Sequence, residues 1–82
     1  MKLPRDLSGC ELGKALAEFG YVATRQTGDH VRLTTHSNGE HHITIPQHHT
    51  LRVGTLHAIL DDVAAHLAIR REELEGRLFG EG

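Results

Sequence analysis

His30 is the side chain in this sequence best suited by type and position to proton transfer. It closes Thr27-Gly28-Asp29-His30, a tight-turn sequence that runs into the alternating stretch Val31-Arg32-Leu33. Imidazole is the one side chain that both takes and gives a proton near neutral pH without special help. A histidine there stands at the first position of a strand, beside a glycine expected to let another backbone come close. Ser8, Thr24, Thr27, Ser37 and Cys10 are nucleophiles by type. None has a base placed by spacing. Cys10, at a helix start, reads as a half-buried structural thiol.

The chain has eight histidines, and that number raises metal binding. His41-His42 and His48-His49 flank the end of one apolar stretch. Adjacent residues of a strand point to opposite faces, so at most one of His41 and His42 serves any one site. No carboxylate–histidine spacing of a zinc site is present. The plainer reading is a solvated, pH-responsive cationic surface of His36, His41, His42, His48 and His49. Neither a metal nor a small-molecule cofactor is expected.

The elements that must position these groups follow from patterning. Ser8-Gly9-Cys10-Glu11 reads as a capping box. Leu12, Ala15, Leu16 and Phe19 then recur at i, i+3, i+4 and i+7, an apolar helical stripe, and Gly20 ends the helix in a left-handed conformation. Three strands are expected, Tyr21 to Gln26, His30 to Thr35 and His42 to Pro46, joined by turns at Thr27-Gly28-Asp29 and His36 to Glu40. After the polar loop Gln47-His48-His49-Thr50, a second helix carries Leu56, Ile59, Leu60, Val63 and Leu67. A short third helix is expected from about Arg71 to Phe79, with Leu74 and Leu78 inward and Glu72, Glu73 and Glu75 on a solvated face. An antiparallel meander with helices on one face is an α+β domain whose other face stays open. That open face carries His30, Arg32, Thr34, His42 and Thr44.

With 82 residues, one domain spanning 1–82 with a small core is expected. Function should therefore sit on an exposed face. The single cysteine excludes an internal disulfide and suits a reducing cytoplasm. No apolar run is long enough to cross a membrane, and the start lacks a signal-peptide pattern. The formal net charge of −2 hides an asymmetry. Between Phe19 and His57 the only acids are Asp29 and Glu40, against Arg25, Arg32, Arg52 and seven histidines. After His57 six acids face three arginines. The middle of the chain is weakly basic and becomes more so on acidification.

Taken in order, the first helix, Gly20-Tyr21, Arg25, Thr27-Gly28-x-His30, Ile43-Thr44-Ile45-Pro46 and Gly54-Thr55-Leu56 with Ile59-Leu60 resemble the HicA (YcfA-like) toxins of bacterial toxin–antitoxin pairs. The resemblance runs from about Leu7 to Leu78. It implies a double-stranded-RNA-binding-domain-like (dsRBD-like) fold with order α-β-β-β-α. It implies an mRNA interferase, an endoribonuclease that cleaves messages without a metal, and a HicB-type antitoxin that covers the active face. The family's essential histidine falls on His30 and its turn glycine on Gly28. This chain departs from the family in two places. Asp29 stands where serine is usual, and the usually lysine-rich loop after the third strand reads His48, His49, Thr50, Arg52.

The reading reached is a metal-independent ribonuclease toxin with His30 as general base and Gly28 shaping the turn. Arg25, Arg32 and Arg52 with His48 and His49 would position phosphate. The antitoxin contact is expected to use Tyr21, Leu51 and strand-edge backbone. Two rivals stay open at this point: a non-catalytic RNA-binding module of the same fold, and a protein-interaction module.

Overall fold

The computed structural model describes residue 4 and residues 6–80. The first helix, α1 (Gly9–Leu16), starts where the capping box requires. Glu11 N–H donates to Ser8 Oγ at 3.0 Å and Ser8 N–H donates to Glu11 Oε1 at 2.9 Å. Two donors that helix geometry leaves unpartnered are thereby satisfied. A 3₁₀ turn (Ala17–Phe19) follows and ends at Gly20.

Three strands come next: β1 (Val22–Thr27), β2 (His30–Thr35) and β3 (His41–Pro46). They form one antiparallel sheet in the order β1-β2-β3. Helices α2 (Val53–Leu67) and α3 (Arg71–Phe79) complete the chain. Leu33, Thr35, Ile43 and Ile45 line the inner face of the sheet. They are buried with Leu12, Leu16, Leu56, Ile59, Leu60, Val63 and Leu74 from the helices. Each apolar side chain among them contributes about 1.5–3 kcal/mol by leaving water. The result is the α+β architecture expected from the patterning.

The structure corrects several expectations. Tyr21 precedes β1 and lies in the core at 1% exposure; Leu51 is buried as well. Neither is available to a partner. His41 begins β3 and is not part of a cationic surface. Its Nε2 lies 3.1 Å from Asp62 Oδ1 and its Nδ1 lies 2.7 Å from Tyr21 Oη. A carboxylate only accepts, so Nε2 carries the proton and Nδ1 accepts from the tyrosine hydroxyl. Burial, and then the charge of Asp62, push the Tyr21 hydroxyl up to about 12. The His41 ring stacks on His66 with centroids 4.3 Å apart. His66 Nε2 donates to the carbonyls of Ser37 and Gly39, and Asn38 Nδ2 donates to the His66 carbonyl. Two of the histidines thus fasten the β2–β3 turn to α2.

Glu75 is buried, whereas Glu72 and Glu73 are exposed. The Arg71 Nε donates to Glu75 at 2.8 Å and its Nη1 to Asp61 at 3.0 Å. A partner one helical turn away lets this carboxylate sit against the core edge beside Leu74. Cys10 is exposed, on the solvent side of α1. No helix among the described residues is long and apolar enough to cross a membrane.

Candidate nucleic-acid interface

The hairpin between β1 and β2 turns on Gly28-Asp29, with Thr27 paired to His30. Gly28 has φ +58°, which a side chain at that position would strain. A Cβ there would meet nothing within 4 Å. The glycine therefore supplies the turn's backbone conformation, and no neighbouring backbone needs the room left by its missing side chain.

The β1–β2 ladder is irregular between Ala23 and Arg25. Strict alternation from Val22, which faces outward opposite Thr34, would send Thr24 outward and Arg25 to the other face of the sheet, away from Arg32. The extra residue at Thr24 resets the alternation. Arg25 then lies directly opposite Arg32, and both are exposed on the open face. Neither side chain pairs with an acid among the described residues. Arg71 and Arg77, on α3, are paired with Asp61, Glu75 and Glu73. Like charges at opposed positions of a sheet are unfavourable unless something anionic lies between them.

Next to these arginines a hydrogen-bonded chain crosses all three strands. His42 Nε2 donates to Glu40 Oε2 at 2.8 Å, so its Nδ1 accepts from Thr34 Oγ1 at 2.7 Å. Thr34 accepts in turn from Thr24 Oγ1 at 2.9 Å. This chain buries Thr34, which alternation alone places on the open surface. It also occupies both ring nitrogens of His42.

On the same face, in the row next to Arg25 and Arg32, stands His30, opposite Thr27 on one side and Pro46 on the other. Its Nδ1 lies 3.2 Å from Asp29 Oδ1. The adjacent negative charge favours a proton on Nδ1, which leaves Nε2 as the basic nitrogen. Nε2 has no polar partner among the described residues, and His30 is exposed. The other oxygen of the same carboxylate, Asp29 Oδ2, lies 3.7 Å from His48 Nε2.

His48 is held there by main chain. Gln47 N–H donates to the Asp29 carbonyl at 2.6 Å, and Gly9 N–H donates to the His48 carbonyl at 3.0 Å. Gly9 is buried at the start of α1, and a Cβ on it would overlap the Pro46 carbonyl oxygen. The close backbone approach in this molecule is thus made at Gly9, where helix α1 meets the end of β3.

Of the residues singled out in the sequence, the structure gathers His30, Gly28, Arg25, Arg32 and His48 around one end of the open sheet. His49 is exposed in the same loop. Arg52 is the N-cap residue of α2 and is exposed; it makes no polar side-chain contact with this cluster. Along the chain Asp29 is legible only as a charge beside the base. Its contact with His48 depends on how a distant loop folds back. His41, His42 and His48 have separate partners, and no three metal-ligating side chains converge among the described residues. A cleft of about 440 Å³ between α1 and β1 is bordered by Gly9, Gln26, Val31 and Gln47, and His30 does not line it. Another of about 610 Å³ is bordered by Leu7, Leu51, His57 and Arg71. His30 stands in the open, as access to a polymer requires.

The family model described as HicA toxin of bacterial toxin–antitoxin matches residues 9–64. No curated protein and no solved structure matches the chain.

Proposed function

The chain belongs to the HicA toxin family of bacterial toxin–antitoxin systems, and on that premise we propose that it is a metal-independent endoribonuclease that cleaves mRNA with His30 as general base. The family supplies the class: a toxin with an antitoxin partner. The observation that carries the finer reading is the row of side chains on the open face. His30, whose Nε2 has no polar partner among the described residues, stands beside Arg25 and Arg32, two opposed cations with no acidic partner among them either.

RNA contains its own nucleophile. Removing the proton of a 2′-hydroxyl lets that oxygen attack the adjacent phosphorus. His30 Nε2 takes this proton, a role that typically contributes about 10²–10⁴-fold. The guanidinium groups bind the phosphate oxygens in the fork geometry suited to them and stabilise the charge that builds on phosphorus. Gly28 keeps the turn in the conformation that presents His30. Arg52 adds positive charge and His49 a further hydrogen-bonding contact to phosphate, and no metal is needed for either proton or phosphate. The work is done in the cytoplasm, where messages are, by one domain covering the chain. A HicB-type antitoxin inhibits by covering the open face over His30.

Purified wild-type and His30→Ala chains, incubated with message RNA in EDTA, test the reading. Wild type cuts, and the variant cuts at least about 10²-fold more slowly while its thermal melt is unchanged. Equal cleavage by the two chains would remove His30 from the mechanism. RNA bound but left intact by wild type would make this a non-catalytic binding module.

A further inference from the structure

We propose that His48 is the general acid of the cleavage, paired with His30 through the carboxylate they share. The inference rests on the ribonuclease reading above and adds a second catalytic residue to it. Attack by the 2′-oxygen forms one bond to phosphorus and must break another, that to the 5′-oxygen of the next nucleotide. The departing alkoxide is strongly basic and leaves readily only as it gains a proton. One proton is therefore taken at the 2′-oxygen and one is given at the 5′-oxygen.

Few groups on this face can give it. Arg25 and Arg32 keep their protons at all relevant pH. An ionised Asp29 has none to give. His42 spends both nitrogens on Thr34 and Glu40. Thr44, opposite Arg32, is a hydroxyl and a poor acid. His48 remains. It is exposed, and its Nε2 faces Asp29 Oδ2 at 3.7 Å while Asp29 Oδ1 faces His30 Nδ1 at 3.2 Å. Its backbone is fixed on both sides, by Gln47 N–H to the Asp29 carbonyl and by Gly9 N–H to its own carbonyl. An exposed ion pair alone would hold it weakly; the main-chain bonds fix the backbone that carries it beside Asp29.

The reaction as a whole needs one added proton on the two imidazoles, and the Asp29 carboxylate lies between them to balance its charge. That is the charge state the reaction conserves. At the start His30 is neutral and His48 is protonated on both nitrogens. His30 Nε2 takes the 2′-hydroxyl proton, the 2′-oxygen bonds to phosphorus, and the bond from phosphorus to the 5′-oxygen breaks. His48 Nδ1, the nitrogen turned away from Asp29, gives its proton to that oxygen. The products are a 2′,3′-cyclic phosphate and a free 5′-hydroxyl. At the end His30 is protonated, His48 is neutral, and the charge of the three groups together is unchanged. Exchange with water resets the pair.

A leaving group that needs no proton separates this role from phosphate binding. The probes are an RNA oligonucleotide and uridine 3′-(4-nitrophenyl phosphate), whose nitrophenoxide departs unaided. His48→Ala should lose about 10²-fold more activity on RNA than on the nitrophenyl ester. His30→Ala should lose activity on both, since both need the 2′-proton removed. Cleaved RNA should carry 2′,3′-cyclic phosphate ends. Equal losses by His48→Ala on the two substrates, or no loss on RNA, overturn the assignment while leaving His30 in place. A wild-type chain that cleaves neither substrate overturns the ribonuclease reading and this one with it.

Discussion

Arg25 lies directly across the β1–β2 ladder from Arg32 because the strand gains one residue between Ala23 and Arg25. Without that irregularity Arg25 would point to the other face of the sheet, away from Arg32. Among the described residues these two cations, side by side on the open face next to His30, have no acidic partner, while Arg71 and Arg77 of α3 are neutralised by neighbours. A folded protein gains nothing from such a pair unless an anion uses it.

Replacing either arginine by alanine should therefore cost little stability, within about 0.5 kcal/mol, because it relieves repulsion. RNA affinity should fall, and the slope of log affinity against log salt should become shallower by about 0.7 for each phosphate no longer neutralised. Binding curves at several salt concentrations, together with melting curves, check this. An unchanged salt slope would mean that the pair does not bind phosphate.

Two glycines of α1 should respond oppositely to the same substitution. At Gly9 a Cβ collides with the Pro46 carbonyl, whereas at Gly13 the nearest atom is Leu33 Cδ1 at 3.8 Å, an ordinary separation. Gly9→Ala should destabilise by about 1–3 kcal/mol and lower RNA cleavage, since the segment it displaces carries His48. Gly13→Ala should stabilise by about 0.5–1 kcal/mol through helix propensity. Chemical denaturation of the two variants decides the matter, and a stabilised Gly9→Ala would show that α1 does not fix the loop.

Tyr21 provides a clean optical signal, being the only tyrosine in a chain without tryptophan. Burial and Asp62 push its hydroxyl up to about 12, from the ordinary 10.0. The folded state then holds this proton more tightly than the unfolded chain does. The stability it contributes is fully present below about pH 10 and is lost as pH rises through about 12. Phenolate absorbance should appear in the native protein near pH 12, and His41→Ala, which removes the hydroxyl's acceptor, should melt at lower temperature. A native tyrosine that ionises near the ordinary value would contradict the buried geometry.

Much of this protein was legible along the chain, because local rules govern those parts. Ser8 and Glu11 cap a helix through bonds spanning three residues. The alternation Val31-Arg32-Leu33 and Ile43-Thr44-Ile45 assigns faces within each strand, and the stripe Leu56-Ile59-Leu60-Val63 assigns the buried side of α2. Together they dictate three strands under helices and place His30 and Arg32 on the open face. They also place Gly28 at the turn, though not its purpose, which is a positive φ and not room for another backbone.

What the chain pattern left undecided depends on which distant segments touch. Whether Arg25 shares a face with Arg32 turns on a ladder irregularity that alternation does not show. Whether a histidine is free or spent turns on tertiary partners. His41 is used by Tyr21 and Asp62, His42 by Thr34 and Glu40, and His66 by the β2–β3 turn, so equal-looking histidines have different fates. Glu75 is drawn inward by Arg71 and Leu74, while its neighbours Glu72 and Glu73 remain in water. Asp29 meets His48, far along the chain, through the hydrogen bond from Gln47 to the Asp29 carbonyl. The sequence by itself determined the sheet, the helices and the candidate base. Only the tertiary structure decided what stands beside that base, because side-chain proximity across turns and loops is set by packing and main-chain hydrogen bonds, not by spacing.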